Sequence, residues 1–241
     1  MNSRTWIVVI LAVILHSPSL LADPCGSSSV LVSSELITSG GCTLDKMTFS
    51  SFSFIKIAGN DPVGAANIAV NPSLRSGLPG LNFNSTPLVF APSGSGTVEI
   101  EIGFTATIAE GSVTGIDVIP GTGSTADTAR SPVVSFACLG GTALVATDGS
   151  VSCSTGHLLS FDATFNTTSA MSFGGVSTVG IVNDVSVQAT DTSFGELTNV
   201  LDQFQTTATP EPSTGRLLLL ALVATCALIL AKLVRHIFRD S

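Results

Sequence analysis

Thr97-Val-Glu-Ile-Glu-Ile-Gly-Phe-Thr-Ala-Thr-Ile108 alternates with period two. Val98, Ile100, Ile102 and Phe104 fall on one face, Glu99 and Glu101 on the other. Successive side chains of an extended chain point to opposite faces, so this stretch reads as a strand with one face in a core. The same texture continues in both directions. Met47–Ile57 is rich in Phe and Ile, and Val113–Ile119, Val133–Cys138, Leu158–Phe165 and Thr178–Gln188 are further runs of β-branched and aromatic residues. Gly, Pro, Asn and Asp clusters separate them at short spacing, which predicts an all-β, sandwich-like domain of jelly-roll or Greek-key type. Two stretches depart from the pattern. Asn60–Pro92 contains five prolines and predicts a long, partly irregular connection, with short strands around Ala65–Val70 and Pro87–Phe90. Glu196–Gln205 places Leu197, Val200, Leu201 and Phe204 at helical spacing, which predicts one short helix, with a final strand as the alternative.

The ends of the 241-residue chain have a different character. Arg4 precedes an unbroken apolar run, Trp6–Leu15, and Leu20-Leu21-Ala22 follows after His16, Ser17 and Pro18. Ten helical residues reach only about 15 Å against a bilayer core of about 30 Å, so residues 1–22 read as a signal peptide. Leu217–Ala231 carries no charge, and Lys232, Arg235 and Arg239 follow it. With those side chains snorkelling, the segment spans about 33 Å. It reads as a transmembrane helix over 216–234, with the basic tail 232–241 as its cytoplasmic stop. The exported domain is then 23–205 and the tail region 206–241. Between Asp23 and Glu211 stand four basic and sixteen acidic residues, a balance of -12 against -8 for the whole chain. Such a body repels a phosphate backbone, so nucleic acid is not an expected partner. A charged fraction of 11% and a mean hydropathy of +0.54 exclude an intrinsically disordered chain.

Between body and helix the chain reads Pro210-Glu211-Pro212-Ser213-Thr214. The prolines hold an extended backbone just outside the membrane, open to an enzyme embedded beside it. The order of proline-framed motif, apolar helix and basic end resembles the PEP-CTERM sorting signal of Gram-negative bacteria. The resemblance covers Pro210 to about Arg239. It departs from the pattern in Gly215-Arg216 at the helix entry and in a tail that mixes Lys, Arg and His. It implies recognition by an exosortase, a membrane-embedded, cysteine protease-like processing enzyme, and a setting of exopolysaccharide and biofilm.

Cys25, Cys42, Cys138 and Cys153 lie in the body and Cys226 in the membrane helix. Four body cysteines allow three pairings. Cys25–Cys42 and Cys138–Cys153 are favoured, because each closes a short loop carrying Gly40-Gly41 or Gly140-Gly141. There is no Cys-x-x-Cys and His157 is the body's one histidine, so no metal site and no cofactor are expected. The loop carboxylates Asp45, Asn60-Asp61, Asp148, Asn183-Asp184 and Asp191 show no calcium-loop spacing. Catalysis by a Ser-His-Asp set has only His157 to draw on, near Asp148 or Asp162, and no Gly-x-Ser-x-Gly accompanies it. Glu99 and Glu101 share a strand face as paired glycosidase carboxylates would, but read as the solvated, edge-blunting side of a sheet. No tyrosine occurs and Trp6 belongs to the signal, so sugar stacking on a flat aromatic is disfavoured, leaving Ser/Thr-rich faces for weak hydrogen bonding. The expectation is a non-enzymatic surface or matrix protein, held first at the inner membrane with its body in the periplasm. A secreted hydrolase using His157 and a permanently tethered periplasmic protein are the alternatives.

Overall fold

The described residues of the computed structural model are 25, 30–31, 41–59, 67–126 and 132–207. The stretches read as signal peptide, sorting motif and membrane helix therefore lie outside the described residues. Fifteen strands follow in chain order, and there is no α-helix among the described residues. The first five are β1 (Val30–Leu31), β2 (Cys42–Leu44), β3 (Met47–Ala58), β4 (Ala69–Arg75) and β5 (Leu78–Ala91). Next come β6 (Thr97–Ile108), β7 (Ser112–Pro120), β8 (Gly123–Ser124), β9 (Val133–Leu139) and β10 (Ala143–Val145). The last are β11 (Val151–Cys153), β12 (His157–Ala163), β13 (Ser169–Val176), β14 (Thr178–Gln188) and β15 (Gly195–Thr207).

Thirteen of them form two antiparallel sheets packed as a sandwich, and β10 and β11 form a separate hairpin. One runs β1-β4-β5-β15-β7-β13, with β8 also pairing β15; the other runs β12-β9-β14-β6-β3-β2. The alternation of β6 explains the packing. Val98, Ile100, Ile102 and Phe104 are fully or almost fully buried between the sheets. Phe104 meets Phe49 and Phe52 of β3 and, across the core, Phe83 and Phe204, at ring-centroid distances of 5.4–6.1 Å. Such contacts add to the area each ring buries, and they fix how the two faces interdigitate.

Three expectations need correction. Gly195–Thr207 is a strand, the alternative reading, and not a helix. Its pairing shifts register between Leu197 and Asn199. That bulge changes the phase, so Leu197, Val200 and Phe204 all reach the core and imitate a helical period. Residues 69–91 form a regular hairpin of two long strands, not an irregular connection. The prolines fit because Pro72 lies beyond the two residues that β1 pairs, and Pro87 falls where the β5–β15 ladder is interrupted. The third correction concerns Glu101. β6 lies inside its sheet, between β3 and β14, and Glu101 is 2% exposed.

What covers Glu101 is the β10–β11 hairpin, folded over the outer face of the β6 sheet. Cys138 on β9 is bonded to Cys153 on β11. The hairpin sits so close that a Cβ at Gly180 would strike the Ala143 amide nitrogen. Its turn reaches Glu101 itself: a Cβ at Gly149 would lie 3.6 Å from Glu101 Oε1. The second disulfide joins Cys25 to Cys42, so both bonds are those expected from the short glycine-bearing loops.

Candidate functional site

The residues singled out from the sequence are dispersed. His157 opens β12 and is exposed. Asp162 lies five residues along the same strand, on the opposite face and about 17 Å away at strand spacing. Asp148 is held within its own turn, its Oδ1 accepting from Ser150 N at 3.0 Å and Ser150 Oγ at 2.7 Å. Those bonds keep its carboxyl below the ordinary range. Neither aspartate hydrogen-bonds His157 among the described residues. Asn183 and Asp184 stand mid-strand in β14, not in a loop. No three His, Cys, Asp or Glu side chains gather as a metal-binding set among the described residues.

Two polar groupings are built by the fold. The first runs through the core. Ser135 Oγ on β9 donates to Asn183 Oδ1 at 2.6 Å, and Asn183 Nδ2 donates across the sandwich to Asp202 Oδ2 on β15 at 2.6 Å. All three residues are buried, and Asp202 Oδ1 has no hydrogen-bond partner. Burial raises the Asp202 carboxyl to about 7, against the pull of the Asn183 bond. On the other side of the same sheet Glu101 and Asp184 face each other directly across β6 and β14. Burial first, then Asp184, Glu99 and Asp148, raise Glu101 to about 7; burial and then Glu99 raise Asp184 to about 7.

The second grouping is the outer face of the other sheet, where β5, β15 and β7 lie side by side. Asn82 and Asn84 come from β5, Asn199, Gln203 and Gln205 from β15, and Asp117 from β7. Register places Asn84 opposite Asn199 and Asp117 opposite Gln203. Asn199 Nδ2 donates to Asn82 Oδ1 at 3.0 Å, and Gln205 Nε2 donates to Asp117 Oδ1 at 2.8 Å. Leu201 and Ile119, paired with each other, put an apolar patch among these amides. Glycine keeps the face low: a Cβ at Gly121 would strike Asn199 Oδ1. Most of these amides are half-buried, and Gln203 is buried. The result is a sheet face of planar donors and acceptors around a small apolar floor, with no cation among the six polar residues. Sequence reasoning missed it because Asn82 and Asn84 fall in the stretch read as irregular, and the β15 amides in the stretch read as helical.

No family model and no curated protein matches the chain. Solved structures align with the chain at low similarity. TmCBM61 in complex with β-1,4-galactotriose aligns over 65% of this chain and 90% of its own, at 10% identity and TM-score 0.25. The C-terminal domain of a chitobiase from Bacteroides fragilis aligns over 76% and 100%, at 9% identity and TM-score 0.28. TmCBM27, a carbohydrate-binding module studied for mannan recognition, aligns over 66% and 99%, at 12% identity and TM-score 0.22.

Proposed function

We propose that this chain is a non-enzymatic exported protein of the cell surface or extracellular matrix that contacts exopolysaccharide. An exosortase-type membrane enzyme sorts it through Pro210–Thr214. The observation that carries the polysaccharide half is the amide face of β5, β15 and β7. Sugar hydroxyls are uncharged donors and acceptors, and planar amides satisfy them pairwise, while Leu201 and Ile119 offer an apolar floor for the sugar C–H face. The body holds only phenylalanine among aromatics, so binding of this kind is weak per site and gains strength from many copies on one polymer. The two disulfides support the export half, because such bonds persist in oxidising compartments.

Two measurements test the two halves separately. In gels cast with the host's extracted exopolysaccharide, the wild-type protein migrates more slowly than in plain gels. Asn199→Ala with Gln205→Ala removes two amide groups worth about 1 kcal/mol each and weakens retention by roughly tenfold or more. Equal retention of the double variant removes this face from the reading. For sorting, residues 206–241 are fused to a passenger in the native host. Release of a passenger lacking the helix, seen by intact mass, is the expected result. A passenger that keeps its helix makes the chain a permanently tethered protein.

A further inference from the structure

The amide face does not stop at Asn199. Followed back along β15, it passes Thr198 and Glu196 and ends on two phenylalanines. Phe90 lies between Val89 and Ala91, both fully buried, so alternation turns its ring to the outer side of β5, in register with Glu196. Phe194, just before β15, sets its ring against that of Phe90, with centroids 6.0 Å apart and planes at 39°. At 48% exposure, Phe194 is the one exposed aromatic side chain among the described residues. Between the rings and Asn199 stand hydroxyls: Thr198 Oγ1 lies 3.2 Å from Thr122 Oγ1 and 3.1 Å from Asn199 Oδ1. Beyond Asn199 come the Leu201–Ile119 floor and then Gln205. Glycine leaves room at that end too, since a Cβ at Gly115 would lie 2.7 Å from Gln205 Oε1. The outer side of β15 is therefore one track with two apolar stations, the phenylalanine pair and the Leu201–Ile119 floor. They are about 23 Å apart at strand spacing, with hydroxyls and amides between them.

We infer, building on the polysaccharide reading above, that this track holds one uncharged polysaccharide chain lengthwise, with one sugar ring on Phe194 and another over Leu201 and Ile119. The alternation of surface chemistry selects the occupant. An apolar protein segment laid here would bury amides and threonine hydroxyls without partners, at a cost that offsets the contact of the rings. A sugar polymer presents C–H faces and hydroxyls along the same chain and meets both kinds of station. One sugar ring covers one station, so bridging the two takes several units of an extended chain. Charge selects the class of polymer. The track carries the carboxylates Glu196 and Asp117, in a body of about -12, so a chain of uronates, sulfates or phosphates is repelled. Arg75 stands at the β4–β5 turn, at the end away from the rings, where its carbonyl accepts from Gln203 Nε2 at 3.0 Å. A single exposed guanidinium there does not offset that balance.

The test uses the full chain in detergent and the host's extracted exopolysaccharide, divided on an anion exchanger into neutral and acidic fractions. Gels cast with the neutral fraction retard the wild type. Phe194→Ala, with an unchanged circular-dichroism spectrum, loses roughly fivefold in affinity there. Phe194→Trp restores the affinity. Made together with Trp6→Phe, it leaves the chain one tryptophan, whose emission shifts to the blue as the neutral fraction is added. Retention of Phe194→Ala equal to wild type overturns the inference; weakened retention of Asn199→Ala with Gln205→Ala in the same gels then shows that the amide face binds without the rings. Retardation by the acidic fraction equal to or stronger than that by the neutral one overturns it as well. If neither fraction retards the wild type, the polysaccharide reading itself falls and takes this track with it.

Discussion

Raising the pH from about 4 to about 7 lowers the melting temperature of the folded body, and Asp202→Asn removes much of the fall. The cause is three carboxyl groups, Glu101, Asp184 and Asp202, each raised to about 7 in the fold. In the unfolded chain such groups titrate near 4. Between those values the folded protein holds protons that the unfolded chain has released, so stability declines as pH rises. It is highest below the unfolded value, falls through the interval, and levels off above about 7. Asp148 works the other way, because its Ser150 bonds stabilise the ionised form and are lost in acid. Asp202 is completely buried, and a shift of about three units corresponds to roughly 4 kcal/mol at most. Asn at this position keeps an oxygen for Asn183 Nδ2 and cannot ionise. Calorimetry at pH 4 and pH 8 should show the variant little changed at pH 4 and about 5 °C or more stabler at pH 8. A variant that melts lower than wild type at pH 8 would mean that the charged form is solvated by a route the fold does not reveal.

The same residues mark where sequence reading works and where it stops. β6 and β14 were legible to the residue, Thr97–Ile108 and Thr178–Gln188, because clean alternation reports a strand half-buried on one face. Alternation also put Glu101 opposite Val98 and Phe104. What it could not report is the covering of that opposite face, since the β10–β11 hairpin arrives from more than forty residues away and is fastened there by Cys138–Cys153. β15 failed for a local reason: one bulge after Leu197 turned a period of two into apparent helical spacing. β5 is hidden because proline reads as a strand breaker, whereas Pro87 falls where the β5–β15 ladder is interrupted and Pro79 just past that ladder's end at Gly80. The amide face is assembled from those two misread strands, so no single stretch of the chain announced it.

Asn183 and Asp202 carry a related lesson. Each stands beside another polar residue, Asp184 or Gln203, yet each faces inward rather than to solvent. Their 2.6 Å bond is a direct polar link between the two sheets. A sliding of one sheet over the other by one residue pair would strand an amide and a carboxyl in hydrocarbon, at a cost of several kcal/mol. Apolar contacts alone discriminate such slips weakly. The buried bridge thus selects one sheet-on-sheet register, at the cost of stability at neutral pH that Asp202→Asn recovers.

Cys138→Ala with Cys153→Ala is expected to destabilise the body more at pH 5 than at pH 8. The bond closes a loop of separation 15, so its loss costs about 3 kcal/mol through the unfolded chain alone, at either pH. The structural consequence is local and depends on pH. The bond is the covalent tie between the hairpin and β9, and the hairpin's turn lies against Glu101. Once the hairpin can lift, water reaches Glu101 and its carboxyl falls back toward the ordinary range, because burial is the first cause of its rise. At pH 8 the variant therefore escapes a charge-burial penalty that the wild type bears, which offsets part of the loss. At pH 5, only just above the unfolded value, the wild type bears a small part of that penalty, so most of the loss appears. Melting curves of both proteins at both pH values measure the difference. Limited proteolysis locates it, with new cleavage confined to residues 143–153. An equal loss at the two pH values, with the hairpin still resistant to protease, would show that the packing of Ala143 on Gly180 holds the cover in place without the disulfide.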